Sequence, residues 1–281
     1  VISARGLGKL ILVGEHAVVH GQPALAFAVS LGTTVTVERR PGPLVLRSAI
    51  HDALVDRAVR DALGDDGVEV TITTDLPIGR GMGSSAALSV ALIRARHADH
   101  AIPDAQLFHE ALELERVFHA NPSGLDVAVS VYGGALRYRR TVPATFEPLP
   151  CPSWQVVVLD TGKAGSTRDL VAGVTARRPA IDPLLERIGR LVDQATSVLD
   201  DAEALGPLLD ENHALLGAIG VSTPELDALC ALARNAGALG AKLSGAGGGG
   251  VAIALVHDPA PVLAAAHAAG VTAWACRPLP A

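Results

Sequence analysis

Residues 79–87, Gly-Arg-Gly-Met-Gly-Ser-Ser-Ala-Ala, place three alternating glycines and two hydroxyls directly ahead of an Ala/Leu/Val run. A glycine-rich loop that opens a helix leaves backbone N–H groups uncovered and directs the positive end of the helix dipole at one spot. That is a phosphate-holding arrangement. The spacing is not that of a P-loop, because no Lys-Ser or Lys-Thr pair follows the glycines. It is not the dinucleotide fingerprint either, whose third glycine comes after two intervening residues rather than one. On the loop alone, a phosphate site and a structural turn both stand. Of Ser84 and Ser85, one is expected to cap the helix, and a hydroxyl there is also a candidate Mg²⁺ ligand.

Three further segments concentrate residues that carry chemistry. Lys9 opens an apolar run that ends in Gly14-Glu15-His16. A lysine there is usually just a solvated strand end, but Glu15 and His16 inside an apolar segment must be hydrogen-bonded or face a cleft. Glu115 through Asp126 ends one helix before Pro122 and starts another, with Asp126 in its first turn. A carboxylate favours a helix N-terminus on electrostatic grounds alone. Glu115, with Glu110 and Glu113 nearby, also reads as part of a solvated face. Last, Lys242-Leu243-Ser244 leads into Gly245–Gly250, five glycines in six positions. Ordering such a run costs chain entropy, so it is a linker or a place where two backbones approach closely; apolar flanks favour close approach.

The elements that must position these residues follow from periodicity. Strands are predicted at Lys9–Val13, Thr33–Arg40, Val68–Thr74, Ala135–Arg139, Gln155–Leu159, Ala252–Val256 and Val271–Cys276. Leu44–Leu46 is expected to neighbour the Thr33–Arg40 strand across a Pro41-Gly42-Pro43 turn. Helices are predicted at His51–Leu63, Ala86–His97, Asp104–His119 (with an Asp cap), Pro122–Tyr132, Arg168–Ala176, Asp182–Leu199, Ala204–Ile219, Pro224–Ala236 and Ala260–Ala269. The proline-rich stretch Pro143–Pro152 is the expected domain boundary, dividing the chain into 1–150 and 151–281.

Bulk properties narrow the class. With 281 residues the chain is long enough for two domains of ordinary size. Hydrophobic residues make up 49% and aromatics only 3%, so the core is aliphatic and few rings are available to stack bases. A net charge of −6 without long basic runs argues against nucleic acid or an anionic membrane as partner. Cys151, Cys230 and Cys276 are scattered, without metal-type spacing, and read as reduced thiols. No apolar run approaches a membrane span, and Val1–Gly6 carries no signal-peptide pattern. The expectation is a cytoplasmic protein.

Taken together and in order, the four segments resemble the GHMP kinase superfamily, nearest its mevalonate kinase branch. Gly8–Gly21 is similar to the first motif of that family, with the Ala-Val-Val-His continuation of the branch. Leu76–Ala87 resembles the second, Glu115–Asp126 with Tyr132–Leu136 the acidic segment, and Lys242–Gly250 the third. Two departures are Gly6-Leu7 in place of a common Ala-Pro pair, and Val127 where Asn is frequent.

The resemblance implies an α+β, two-domain GHMP kinase fold. Its N-terminal domain would be a ribosomal-protein-like βα domain, its C-terminal domain ferredoxin-like, with the site in the cleft between them. It implies ATP and Mg²⁺ as cofactors, with mevalonate as the small-molecule substrate. It also implies a homodimer, for which the sequence shows no interface signal. By position, Asp126 is the catalytic aspartate and Lys9 the lysine beside it, while Glu15 and His16 contact substrate. Gly79, Gly81, Met82, Gly83, Ser84, Ser85 and Ala86 wrap the ATP phosphates, and Ser85 and Glu115 hold Mg²⁺. Competing readings are another enzyme of the superfamily (a mevalonate 3-kinase, homoserine kinase or diphosphomevalonate decarboxylase) and a catalytically silent ligand-binding homologue. An RNA binder on a related fold is disfavoured by the acidic charge.

Overall fold

The computed structural model describes residues 1–119 and 121–280; Ala120, within the Glu115–Asp126 segment, and Ala281 lie outside the described residues. The first sheet is built on two long strands, β1 (Ile2–Val13) and β2 (Pro23–Pro43), paired antiparallel along most of their length. Between them runs a short 3-10 turn, Ala17–His20. β3 (Val45–Ser48), α1 (Ala53–Leu63) and β4 (Asp66–Thr74) follow. Next come α2 (Ser84–Arg96), α3 (Asp104–Glu115) and α4 (Leu125–Tyr132), then β5 (Ala135–Arg139) and β6 (Thr145–Leu149). The sheet order is β3-β4-β2-β5-β6, with β1 on β2.

The second unit contains β7 (Gln155–Asp160), α5 (Thr167–Ala176), α6 (Asp182–Ser197), α7 (Ala202–Ala218) and α8 (Pro224–Asn235). It closes with β8 (Gly240–Ser244), β9 (Val251–Val256), α9 (Ala260–Ala268) and β10 (Ala273–Cys276). Its four strands lie in the order β10-β7-β9-β8, all antiparallel, which is the ferredoxin-like order 4-1-3-2.

Alternation along the strands assigns side chains to separate cores. On β1, Ile11 faces the first core with α1–α4, whereas Leu10 and Leu12 face a second with Phe27, Val156, Val158, Ile253 and Leu209. That second core draws on both sheets, so the two units share buried apolar surface. A third, including Val157, Leu159, Ala252 and Ala254, fills the far face of the second sheet under α8 and α9. Among the described residues no helix is long and apolar enough to cross a membrane.

Four expectations need correction. β1 begins at Ile2, so Lys9 lies inside a strand instead of opening one. β3 pairs parallel with β4 rather than with β2, because β2 runs on through Pro41-Gly42-Pro43. The Pro143–Pro152 stretch carries β6, an edge strand on β5, which proline tolerates because one side of an edge needs no ladder bond. α3 ends at Glu115 instead of His119, and Pro103 precedes it without any side-chain cap from Asp104.

The departure at Gly6 has a steric reason. α2 crosses β1 so closely that a Cβ on Gly6 would lie 1.9 Å from the Ala87 carbonyl oxygen. Gly6→Ala is therefore expected to lose about 1–3 kcal/mol in chemical denaturation. Gly173→Ala, mid-helix with open space around it, should be neutral or gain up to about 1 kcal/mol in the same measurement.

Candidate active site

β1 carries Lys9 into the interior, with 3% of its side chain exposed. Its ammonium donates to the Gly81 carbonyl at 3.0 Å and lies 3.3 Å from Asp126 Oδ1. Asp126 sits in the first turn of α4 and keeps 35% of its side chain exposed. A lysine ammonium has three donors. Two are committed here, and the third is free for an oxygen placed beside Asp126. The Lys9 backbone N–H also bonds the Met82 carbonyl at 3.0 Å, tying the glycine loop to β1.

The loop delivers its amides to the same place. Gly79, Gly81 and Gly83 all have positive φ, and Gly83 is the N-cap of α2 with no side-chain cap bond. Neither Ser84 nor Ser85 caps the helix, contrary to expectation: both fall inside its first turn, and the orphan N–H groups there have no side-chain acceptor. A Cβ on Gly83 would come within 3.5 Å of Asp126 Oδ2 and 3.1 Å of Lys9 Cγ. Helix start, lysine and carboxylate therefore converge.

Ser85 turns instead toward Glu115, the last residue of α3. Its hydroxyl donates to Oε1 at 2.6 Å, and Ser89, one turn later on the same face of α2, donates to Oε2 at 3.0 Å. Glu115 is only 3% exposed, and burial pushes its pKa up to about 8. The Ser85 bond works against that shift, while Asp126 adds to it. His119 Nε2 lies 3.4 Å from Ser85 Oγ, and burial lowers its pKa.

Beyond the end of β1 the chain reverses at Gly14-Glu15-His16. The Ala17 N–H bonds the Glu15 carbonyl at 2.6 Å, closing a γ-turn with φ 59° and ψ −48° at His16. This is the strained, positive-φ form, and His16 is the only non-glycine with positive φ among the described residues. Such a backbone costs about 1–3 kcal/mol and persists only when its surroundings over-determine it. The His16 ring is buried, which lowers its pKa, and Nε2 lies 2.8 Å from the Ala246 carbonyl. A carbonyl only accepts, so Nε2 carries the hydrogen and Nδ1 is left as an acceptor. That Nδ1 is buried without a partner.

Glu15, expected to contact substrate, points inward. It is 1% exposed, with Oε1 paired to the buried Lys242 ammonium and Oε2 accepting from Asn212 Nδ2 at 3.1 Å. Both oxygens are thus engaged within the protein.

The Lys242–Gly250 segment forms the opposite wall. Its glycine run is a close approach and not a linker: a Cβ on Gly245 would lie 3.2 Å from Gly81 Cα. Ser244 Oγ accepts from Ile11 N–H and donates to Ile11 O, each at 3.1 Å. An ion pair between Arg80 and Asp160 at 3.1 Å adds a further tie between loop and second sheet.

The structure thus brings Lys9, Asp126, Gly81, Gly83, Ser85 and Glu115 to one place, with His16 at its β1 end. Sequence reasoning missed Ser89, His119, Asn212 and the ion-pair role of Lys242. Ser89 carried a usable signal, a hydroxyl four residues after Ser85 in the otherwise apolar run 86–93. Asn212 carried none, since it meets Glu15 only through tertiary packing.

Comparison with known proteins identifies the family. The family of GHMP kinases N terminal domains matches residues 48–134, and that of GHMP kinases C terminal domains matches 179–272. The mevalonate kinase of Pyrococcus abyssi is 37% identical, covering 91% of this chain and 88% of its own length. The mevalonate kinase of Pyrococcus horikoshii is also 37% identical, covering 90% and 88%. The crystal structure of L. major mevalonate kinase in complex with R-mevalonate superposes with a TM-score of 0.86 at 29% identity, covering 100% of this chain and 97% of that one. The chain belongs to the GHMP kinase superfamily, within its mevalonate kinase family.

Proposed function

We propose that this protein transfers the γ-phosphoryl group of ATP to the 5-hydroxyl of mevalonate, giving 5-phosphomevalonate and ADP. The observation that carries the reading is the Lys9 ammonium, which touches both Asp126 and the glycine loop. Membership of a kinase superfamily and mevalonate kinase relatives at 37% identity supply the substrate class.

In this reading the unit 1–150 holds the triphosphate and the unit 151–281 closes the opposite wall. The uncovered N–H groups of residues 79–86 receive phosphate oxygens at the start of α2. Lys9 stabilises the charge that develops on the attacking oxygen, and Asp126 accepts its proton. Phosphoryl transfer asks mainly for positioning and charge neutralisation. A carboxylate is a weak base toward an alcohol, so the proton moves late, once the new P–O bond has acidified the hydroxyl. His16 Nδ1, an acceptor lacking a partner, suits a substrate hydroxyl.

The Ser85–Glu115 pair fits Mg²⁺. Both donors are hard oxygens, set 2.6 Å apart, and a buried carboxylate with a raised pKa is one that a dication would hold ionised. Mg²⁺, when bound, neutralises part of the triphosphate charge.

A coupled ADP-release assay with Mg²⁺-ATP and mevalonate tests the reading, and absence of turnover above background would reject it. Asp126→Asn is expected to lower kcat by about 10²–10⁴-fold with ATP binding retained in calorimetry; near-parental turnover would remove the proton-acceptor role.

Glu115 also makes stability depend on pH. Its pKa rises from the ordinary 4.5 to about 8 on folding, so the folded state binds the extra proton between those values. Its contribution is therefore fully present below pH 4.5 and lost as pH rises through about 8. Without Mg²⁺, Glu115→Gln should flatten that decline and melt above the parent at pH 8 in differential scanning calorimetry. An unchanged slope would contradict the burial argument.

A further inference from the structure

We propose that Lys242, assisted by Asn212, is a positioning residue for the substrate-side turn Gly14–Ala17, acting through Glu15 across the boundary between the two units. The inference rests on the mevalonate reading of the cleft. Lys242 is fully buried, and its ammonium is wholly engaged inside the protein. It contacts Glu15 Oε1, the Leu243 carbonyl at 2.6 Å and the Ile11 carbonyl at 3.4 Å. No donor remains for a ligand, and both Glu15 oxygens already accept from within the protein on a side chain that is 1% exposed. Together they make a bridge from β8 and α7 to the end of β1, set in the wall of the cleft rather than in its opening.

What the bridge holds is a strained turn. His16 sits at the centre of a positive-φ γ-turn and is gripped from both sides by the second unit. One grip is the Lys242–Asn212 hold on the neighbouring Glu15. The other is the Ala246 carbonyl on Nε2. A buried ion pair is a weak source of net stability but a strong constraint on geometry, since either charge left alone inside is costly. Released from Glu15, the turn can relax to an ordinary negative φ and carry the imidazole away from its present place. Substrate binding would suffer, whereas the glycine loop, anchored separately by Lys9 and Met82, would keep its hold on nucleotide.

The experiment compares Lys242→Met, Glu15→Gln and the double variant with the parent protein. Each single change strands one buried charge and is expected to lower Tm, while the double change removes both charges and should recover most of it. The double variant is nevertheless expected to show a KM for mevalonate about tenfold higher, with KM for ATP within about twofold. Hydrogen exchange at the Val18 and Val19 amides, which bond back to Gly14 and His16, should be about tenfold faster in the double variant. A parental mevalonate KM and parental exchange in the double variant would overturn the proposal. So would a parallel rise in both KM values, or failure of the double variant to fold, since the pair would then serve the fold itself. Should the parent not phosphorylate mevalonate at all, the functional reading fails by itself, and exchange at Val18 and Val19 still decides whether Lys242 holds the turn.

Discussion

The site depends on one ammonium ion taken out of water. A buried lysine is tolerated only where oxygens replace its hydration, and Lys9 finds them on Asp126 and on the Gly81 carbonyl. Those two partners belong to different segments, the first turn of α4 and the loop ahead of α2. The need to satisfy a single charge thus pulls a carboxylate and a row of bare amides together at the surface of β1. The strand fixes Lys9 through its pairing with Ala28 in β2, so the meeting point is set by sheet register rather than by flexible side chains.

Around that point the two units meet backbone to backbone. Residues without side chains allow the second sheet to approach the loop within ordinary van der Waals reach, and hydroxyls such as Ser244 supply bonds where main-chain groups are left over. The apolar core built from β1, β2, β7 and β9 holds the same boundary from behind. Polar chemistry at the front and aliphatic packing at the back therefore work on one interface.

Much of this was legible in the residues themselves. Alternation and helical spacing located most elements, because burial on one face leaves a period in the sequence. Four ordered motifs pointed to Lys9, Asp126, Ser85 and Glu115, which the fold does bring together. The failures have physical causes. The strand holding Lys242 was hidden because all five residues of β8 are buried, so no alternation marked it. Glu15 read as either hydrogen-bonded or facing a cleft, and the choice stayed open because its neutralising partner lies 227 positions further along the chain. The β6 edge was masked by prolines that an interior strand would not accept.

The first-turn amides of α2 come from a helix that is enclosed nearly all round. Nine of its thirteen residues are buried, from Ala86 to Ala95, and its backbone rests on β1 at Gly6 without room for a methyl group. Such a rod has no free direction in which to slide. Its donor array is therefore set before any nucleotide arrives, and little ordering entropy remains to be lost when one docks.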